Sequence, residues 1–319
     1  MEEQPLTREE INSELTGINK GQKALRKKQI IIGASVGGGV LLIGLIVLII
    51  FLATSSGGSR KNNEIIGEIN CVYDIETTQT TLILGTEYVK EPSEFDIYID
   101  NEKIKYSKEY KFSSTGIHKI QFKLYTNLNM SKMFKDVKEL NSVDMTSEKD
   151  CQITSMESTF ENCANLEFFN LTGFKGDKIK TMKKLFYNTQ IKEFYINSFN
   201  TIALEDISYM LAKTPIYDIT LSGFNTSQVT NMSHLFEDCG GLLRINLSSL
   251  DTSKVEDMSS MFYSCLSLDS LNLENFDTSH VFNMSHLFYE CFLLKELDLK
   301  NFETSNVEDM SSMFIVVPH

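Results

Sequence analysis

The residues of this sequence that could do chemistry are five histidines, six cysteines and many Asp and Ser residues. Hydrolytic catalysis needs a nucleophile, a neighbouring base and a third group that orients the base. The histidines are His118, His234, His280, His286 and His319. They complete no such set, because the surrounding Asp and Ser residues simply recur with a repeated motif. We therefore expect that the protein is not an enzyme and uses no cofactor. A hydrolase is the alternative, and a clustered catalytic set in the structure would support it.

Cysteine spacing gives no sign of a metal site. The cysteines are Cys71, Cys151, Cys163, Cys239, Cys265 and Cys291. No Cys-x-x-Cys pair, no Cys/His pair at zinc spacing and no Asp-rich calcium loop occurs. Four cysteines follow a recurring Phe by three residues, and we interpret them as buried thiols on helices too far apart for disulfides. A Cys71–Cys151 disulfide is left open, since both residues lie outside that series.

The charge balance argues against nucleic acid as a partner. The formal net charge is −13, and residues 30–319 carry 24 Lys/Arg against 38 Asp/Glu. Neutralising phosphates requires clustered basic side chains, which this part of the chain does not offer.

A repeat of 25–26 residues organises most of the chain. The stretch 251–276, DTSKVEDMSSMFYSCLSLDSLNLENF, recurs at 277–302 and begins again at 303. The anchor residues that close each M-S-x-[ML]-F segment are Phe134, Phe160, Phe186, Leu211, Phe236, Phe262, Phe288 and Phe314. They are separated by 26, 26, 25, 25, 26, 26 and 26 residues. A fixed period of this length predicts a solenoid of stacked units over residues 127–314.

Each repeat is predicted to contain one short helix and one short strand. Apolar residues from Val255 to Cys265 recur at helical spacing, and Ser253 with Glu256 forms a capping box. Leu271 and Leu273 then alternate with polar residues, as in a strand. The predicted fold class is therefore α/β, a leucine-rich-repeat-like solenoid with a parallel sheet and a Met/Phe core.

The same residues carry a family resemblance. F-x-x-C-x-x-L-x-x-L-x-L, from Phe262 to Leu273, and D-T-S-x-V-x-[DN]-M-S-x-[ML]-F resemble the leucine-rich repeats of BspA-like surface proteins of bacteria and protists. The match covers about residues 129–314. It implies a right-handed solenoid on a cell surface, associated with adhesion or ligand binding. The chain departs from the pattern at Asn127, where Val belongs, at Leu211, and at Phe276, which excludes an asparagine ladder.

A membrane anchor is predicted before the repeats. Residues 30–53 are 24 consecutive residues without a charge, long enough for a transmembrane helix. Basic residues crowd the preceding flank, so the positive-inside rule places residues 1–29 in the cytosol as a tail. This predicts a signal-anchor and a type II single-pass protein of the plasma membrane with an extracellular C-terminal part. A cleaved signal peptide is the alternative. Gly33 and Gly37 form a Gly-x-x-x-Gly motif that could support a homodimer, although glycine is common in membrane helices.

The remaining segments are assigned from composition. Residues 54–63 are predicted to be a flexible linker, and residues 64–126 a small all-β, sandwich-like spacer domain. The last repeat stops soon after Phe314, so residues 315–319 are predicted to be a C-terminal tail, and truncation of the chain is the favoured explanation.

Function is predicted on the side of the solenoid where the strands lie. The outward positions between strand leucines differ from repeat to repeat and would line up on the sheet. They are Asp144, Asn170, Tyr195, Thr220, Asn246, Asn272 and Asp298. We expect adhesion, with a protein or glycan ligand on this face. The alternative is a structural coat or spacer protein whose polar face only keeps the sheet soluble. Of six N-x-S/T sequons, Asn225 and Asn231 are the favoured glycosylation sites.

Overall fold

The chain folds as a β-solenoid. A computed structural model describes residues 64–90, 94–197, 199–221 and 223–314, and these contain fifteen strands and no helix. The strands are β1 (Gly67–Ile75), β2 (Thr80–Leu82), β3 (Phe95–Ile99), β4 (Glu102–Ile104), β5 (Glu109–Lys111), β6 (Gly116–Leu124), β7 (Leu128–Asn129), β8 (Leu140–Thr146), β9 (Ile153–Ser155), β10 (Phe168–Thr172), β11 (Glu193–Asn197), β12 (Asp218–Thr220), β13 (Arg244–Asn246), β14 (Ser270–Leu271) and β15 (Glu296–Leu297). Each repeat forms one coil of the solenoid.

One sheet joins the first coils to the strands that precede them. Its seven strands lie in the order β11-β10-β8-β1-β6-β3-β4. β8, β10 and β11 are parallel, while β1 runs antiparallel to both β8 and β6. Residues 64–126 therefore extend the solenoid sheet and share its core, which corrects the expected sandwich-like fold. The domain boundary predicted at residue 126 stays a prediction.

The later coils pair in shorter ladders. β12 pairs with β13 and β14 with β15, both in parallel, and β7 pairs in parallel with β9. A second side of the coil carries one parallel bridge per turn of the solenoid, at the [DN]-M-S position of the repeat. This ladder joins Thr181, Asp206, Asn231, Asp257, Asn283 and Asp309.

The predicted helix of each repeat is wrong; the segment is a chain of tight turns. Ser260 and Ser264 have φ of 54° and 53°, in the left-handed region that an α-helix does not allow. The Met261 amide donates to the Met258 carbonyl three residues back, whereas the Phe262 amide donates to Leu287 of the next coil. Hydrogen bonds thus alternate between the same coil and its neighbour. The solenoid is therefore all-β, and not an α/β leucine-rich repeat with one helix per unit.

The Met/Phe stripe forms the core, as predicted. Phe262 is fully buried between the parallel rings of Phe236 and Phe288, at centroid distances of 5.6 and 5.7 Å. Cys265 donates its Sγ–H to the Phe236 carbonyl in the previous coil at 3.2 Å. All six cysteines are free thiols and five are buried, so the Cys71–Cys151 disulfide is absent.

A buried threonine clamps each coil to the next. The Thr252 hydroxyl donates to the Asp277 carbonyl at 3.0 Å and accepts from the Asp277 amide at 2.8 Å. Thr201, Thr226 and Thr278 make the same pair of bonds, to Asn225, Asp251 and Glu303 respectively. The D-T-S motif therefore joins coils, and Ser253 bonds to Asp251 Oδ1 instead of capping a helix.

The predicted membrane anchor is not supported by the structure. Within the described ranges, no helix has the length and apolar character needed to cross a membrane. Residues 1–63, which include the predicted tail, anchor, linker and Gly33/Gly37 contact, lie outside the described residues, as do residues 315–319. The described residues therefore give no support to the expected transmembrane helix, signal-anchor and type II plasma-membrane location.

Candidate functional site

The first three solenoid strands align the predicted binding residues in register. Asn170 lies opposite Asp144 on one side and Tyr195 on the other. Asn170 Nδ2 donates to Asp144 Oδ1 at 2.7 Å, which fixes both side chains. Tyr195 is 41% exposed, and its ring lies 6.0 Å from that of Phe168. These side chains form a polar, solvent-facing surface with an aromatic end.

The predicted row is interrupted after Tyr195. Thr220 on β12 lies opposite Asn246 on β13, but among the described residues β11 and β12 are not paired. Asn272 and Asp298 directly follow the paired strands β14 and β15. The structure therefore brings the predicted residues together in separate groups, along one side of the coils.

In the later coils these side chains also hold turns. Asn246 Oδ1 accepts from the Ser248 amide at 3.0 Å, and Asn272 Oδ1 accepts from the Glu274 amide at 2.9 Å. Asp298 Oδ1 accepts from the Lys300 amide at 3.0 Å. Side-chain and backbone hydrogen bonds from Lys300 lower the pKa of Asp298. Part of the hydrogen-bonding capacity of each residue is thus structural, and the other polar atoms remain at the surface.

A shallow depression of about 530 Å³ lies beside Asn272 and Asp298. Arg244, Glu274 and Glu296 also line it, so its walls carry both signs of charge. Arg244 is paired with Asp218 of the previous coil at 3.0 Å. An open, mixed-charge hollow of this kind suits contact with a larger molecule better than enclosure of a small one.

Two of the histidines, His118 and His234, are held in structural contacts. His234 stacks on Tyr209 at 4.1 Å, and its Nδ1 lies 2.6 Å from Glu237. His118 Nδ1 lies 2.6 Å from Asp100 Oδ2, and its Nε2 faces the Ser114 carbonyl at 3.0 Å and the Ser114 hydroxyl at 3.5 Å.

The group formed by Asp100, His118 and Ser114 was not predicted from the sequence. Its members are separated in the chain and come together only in the folded structure, at a turn. Its composition is that of a catalytic triad, but its geometry is not. The carbonyl is much the closer neighbour of Nε2, so this nitrogen acts as a donor to the backbone. A general base needs that nitrogen free to accept the hydroxyl proton. The group therefore fixes a turn. Among the residues that the structure describes, no group of three metal-ligating side chains is found.

The two favoured glycosylation candidates lie in turns, not at the start of helices as expected. Asn225 Oδ1 accepts from the Ser227 amide at 3.1 Å, and Asn231 Oδ1 accepts from the Ser233 amide at 2.9 Å. Both residues are half-buried. Their glycosylation stays a prediction.

The coils match one known family. The family model described as "Mycoplasma protein of unknown function, DUF285" matches residues 128–243 and 242–317, more than half of the chain. The chain belongs to this family. Neither a curated protein nor a solved structure matches the chain. DUF285 membership and the stacked coils are compatible with a repeat protein of the surface type. The more specific resemblance to BspA-like leucine-rich repeats is not confirmed.

Proposed function

We propose that this DUF285 protein is a binding or adhesion protein, not an enzyme, and that it recognises a protein or glycan on the solvent face of its sheet. The observation that carries the proposal is the register of Asp144, Asn170 and Tyr195 across β8, β10 and β11. Different side chains at one repeat position are held side by side on a rigid surface. Extended surfaces of this type are what solenoid proteins commonly use for binding.

The residue types that recur in the coils are committed to structure, which supports the same assignment. The Phe, Met and Cys positions are buried, and the Thr position clamps neighbouring coils. The [DN]-M-S position forms the second ladder, and its Asx side chains accept from the backbone two residues later, as Asp257 does from Ser259 at 2.8 Å. These positions repeat because stacking requires them. The sheet face, in contrast to these positions, combines exposure with variation from coil to coil.

Binding of the purified full-length chain to cells and to extracellular matrix tests the proposal. We expect saturable binding that is weakened by the double substitution Asn170→Ala/Tyr195→Ala. The matched control is Gln228→Ala/Lys254→Ala, which removes an exposed hydrogen-bonded pair outside the strands, 2.7 Å apart. Saturable binding lost only in the sheet variant supports the proposal. A structural coat protein would instead be supported if the chain does not bind and if its lateral self-association is the same with and without the sheet substitutions.

A further inference from the structure

The polar face of β8, β10 and β11 continues across the strands that precede the repeats. Asn70 on β1 pairs with Asp144 on one side and with Gln121 of β6 on the other. Gln121 in turn pairs with Tyr98 of β3. We call this line of six residues the amide row; in spatial order it comprises Tyr98, Gln121, Asn70, Asp144, Asn170 and Tyr195.

The amide row is continuous and long. Its members are directly opposite one another in every pair of neighbouring strands. Five strand spacings of about 4.8 Å give it a length of roughly 24 Å. Five of the six side chains are half-buried and Tyr195 is exposed, so the row is a surface and not a cavity.

Hydrogen bonds within the face hold the row in place before any ligand arrives. Gln121 Nε2 donates to Asn70 Oδ1 at 3.0 Å and to Glu68 Oε2 at 3.2 Å. Asn170 Nδ2 donates to Asp144 Oδ1 at 2.7 Å. Amide and carboxylate groups have more donors and acceptors than these bonds use, which leaves further hydrogen-bonding capacity for a ligand. Preorganised polar groups lower the entropic cost of binding.

We propose that the amide row binds an extended, neutral glycan chain. The three amides and one carboxylate at its centre offer both donors and acceptors, which suit the neighbouring hydroxyl groups of sugar rings. The strand spacing is close to the length of one hexose ring along an extended chain. Tyr195 places an exposed aromatic ring at one end, where the apolar face of a sugar can pack. At the other end, Lys123 Nζ lies over the Tyr98 ring at 4.5 Å from its centroid.

The centre of the row favours a glycan over a protein. Protein interfaces depend on buried aromatic or aliphatic anchors near their centre. Here the central residues are Gln121, Asn70, Asp144 and Asn170, and all four are polar. The face carries the acidic residues Glu68 and Asp144 together with the basic residues Lys119 and Lys123, and Glu68 lies directly opposite Lys123. Because neither sign of charge dominates, the ligand is expected to be neutral. This inference rests on the function proposed above, because it identifies the ligand of the same face.

Affinity electrophoresis of the full-length chain tests the inference. The probes are galactomannan, xyloglucan and a β-1,3-glucan, with hyaluronan as the acidic comparison. We expect retardation by at least one neutral polysaccharide and not by hyaluronan. Asn70→Ala and Tyr195→Ala should each weaken that affinity about tenfold, the equivalent of one good polar or aromatic contact. The matched controls are Gln228→Ala, an amide outside the strands, and Tyr263→Ala, whose ring stacks on Tyr289 at 4.9 Å.

A second measurement separates this inference from the broader proposal. Cells are treated with periodate, which cleaves vicinal diols of sugars, or with protease, before the chain is added. Binding lost after periodate, with Asn70→Ala impaired, supports the glycan. The glycan inference is overturned if binding survives periodate, disappears after protease and is unchanged by Asn70→Ala. That result would still be compatible with a protein ligand on the sheet face. Tyr195→Ala changes an exposed side chain, so it remains informative if Asn70→Ala does not fold.

Discussion

The threonine clamp between coils should be worth measurable stability. Thr252 is 1% exposed and makes two hydrogen bonds to the backbone of Asp277. Thr252→Val keeps the shape of the side chain and removes both bonds. At roughly 0.5–1.5 kcal/mol per bond, the expected loss is about 1–3 kcal/mol, and more if the Asp277 amide stays unsatisfied. Thr252→Ser keeps the hydroxyl and loses one methyl group, which costs about 0.8 kcal/mol.

The repeat supplies an internal control at the last coil. Thr304 occupies the same position of the motif, but it is exposed, and within the described residues its hydroxyl makes no hydrogen bond. Thr304→Val should therefore change the free energy of unfolding by less than about 0.5 kcal/mol.

Urea unfolding followed by circular dichroism, with the slope checked for changes in cooperativity, gives the comparison. If Thr252→Val and Thr304→Val cost the same, or if Thr252→Ser costs as much as Thr252→Val, the clamp does not hold the coils together.

Three further perturbations follow from the structure. Phe262→Ala should cost about 3–5 kcal/mol of unfolding free energy. The ring of Phe314 is 49% exposed and stacks on Phe288, so Phe314→Ala should cost about 1 kcal/mol. Equal losses in urea titrations would refute the stacked core. Hydrogen bonds from Lys132 and Lys135 lower the pKa of Glu87 from 4.5 to about 2. A carboxyl group with a lowered pKa stabilises the fold at pH values above its unfolded pKa. The native protein should therefore have a higher urea midpoint than Glu87→Gln, and this difference should shrink as the pH falls from 4.5 towards 2. A difference in urea midpoint that is constant with pH would contradict the pairing. Burial raises the pKa of the Cys291 thiol to about 11. Cys291 is nevertheless the one cysteine that is not fully buried, so a thiol reagent should label it first in the native protein. Peptide mapping of the labelled protein checks this order.

The repeat period, the core residues and the register of the coils could be predicted from the sequence. The backbone conformation of the coil could not. Residues at offsets 0, 3, 6, 7 and 10 from Val255 face inward, as predicted. A chain of four-residue turns and an α-helix both bring every third or fourth side chain to the same side, so the apolar pattern cannot separate them. The distinguishing residues are those with positive φ. At these positions the chain has Ser, Lys, His, Tyr, Asp, Glu or Asn and no Gly, as at Ser260 and Lys184. Asn, Asp and His adopt the left-handed conformation more readily than other residues apart from Gly, so positions such as Asn162 and Asp238 carry a weak signal, whereas Ser, Lys, Tyr and Glu carry none.

Only half of the proposed binding face could be predicted from the sequence, for a different reason. The repeat period aligns Asn170 with Asp144 and Tyr195, because parallel coils place equal positions side by side. Asn70 and Gln121 belong to antiparallel strands without a repeat, and nothing local in the chain shows that β1 lies between β6 and β8. Pairing between distant strands depends on tertiary packing, and single-strand patterns do not encode it.

The antiparallel strands also explain why the candidate ligand face is concentrated at one end of the solenoid. β8 has seven residues and β10 and β11 have five, whereas β12 and β13 have three and β14 and β15 have two. β1, with nine residues, covers the edge of β8 that an unpaired solenoid would expose, and an exposed edge invites association. Long, fully paired strands hold side chains more rigidly than two-residue ladders do. The best-ordered part of the polar face is therefore the amide row between Tyr98 and Tyr195, where the capping strands and the first coils share one sheet.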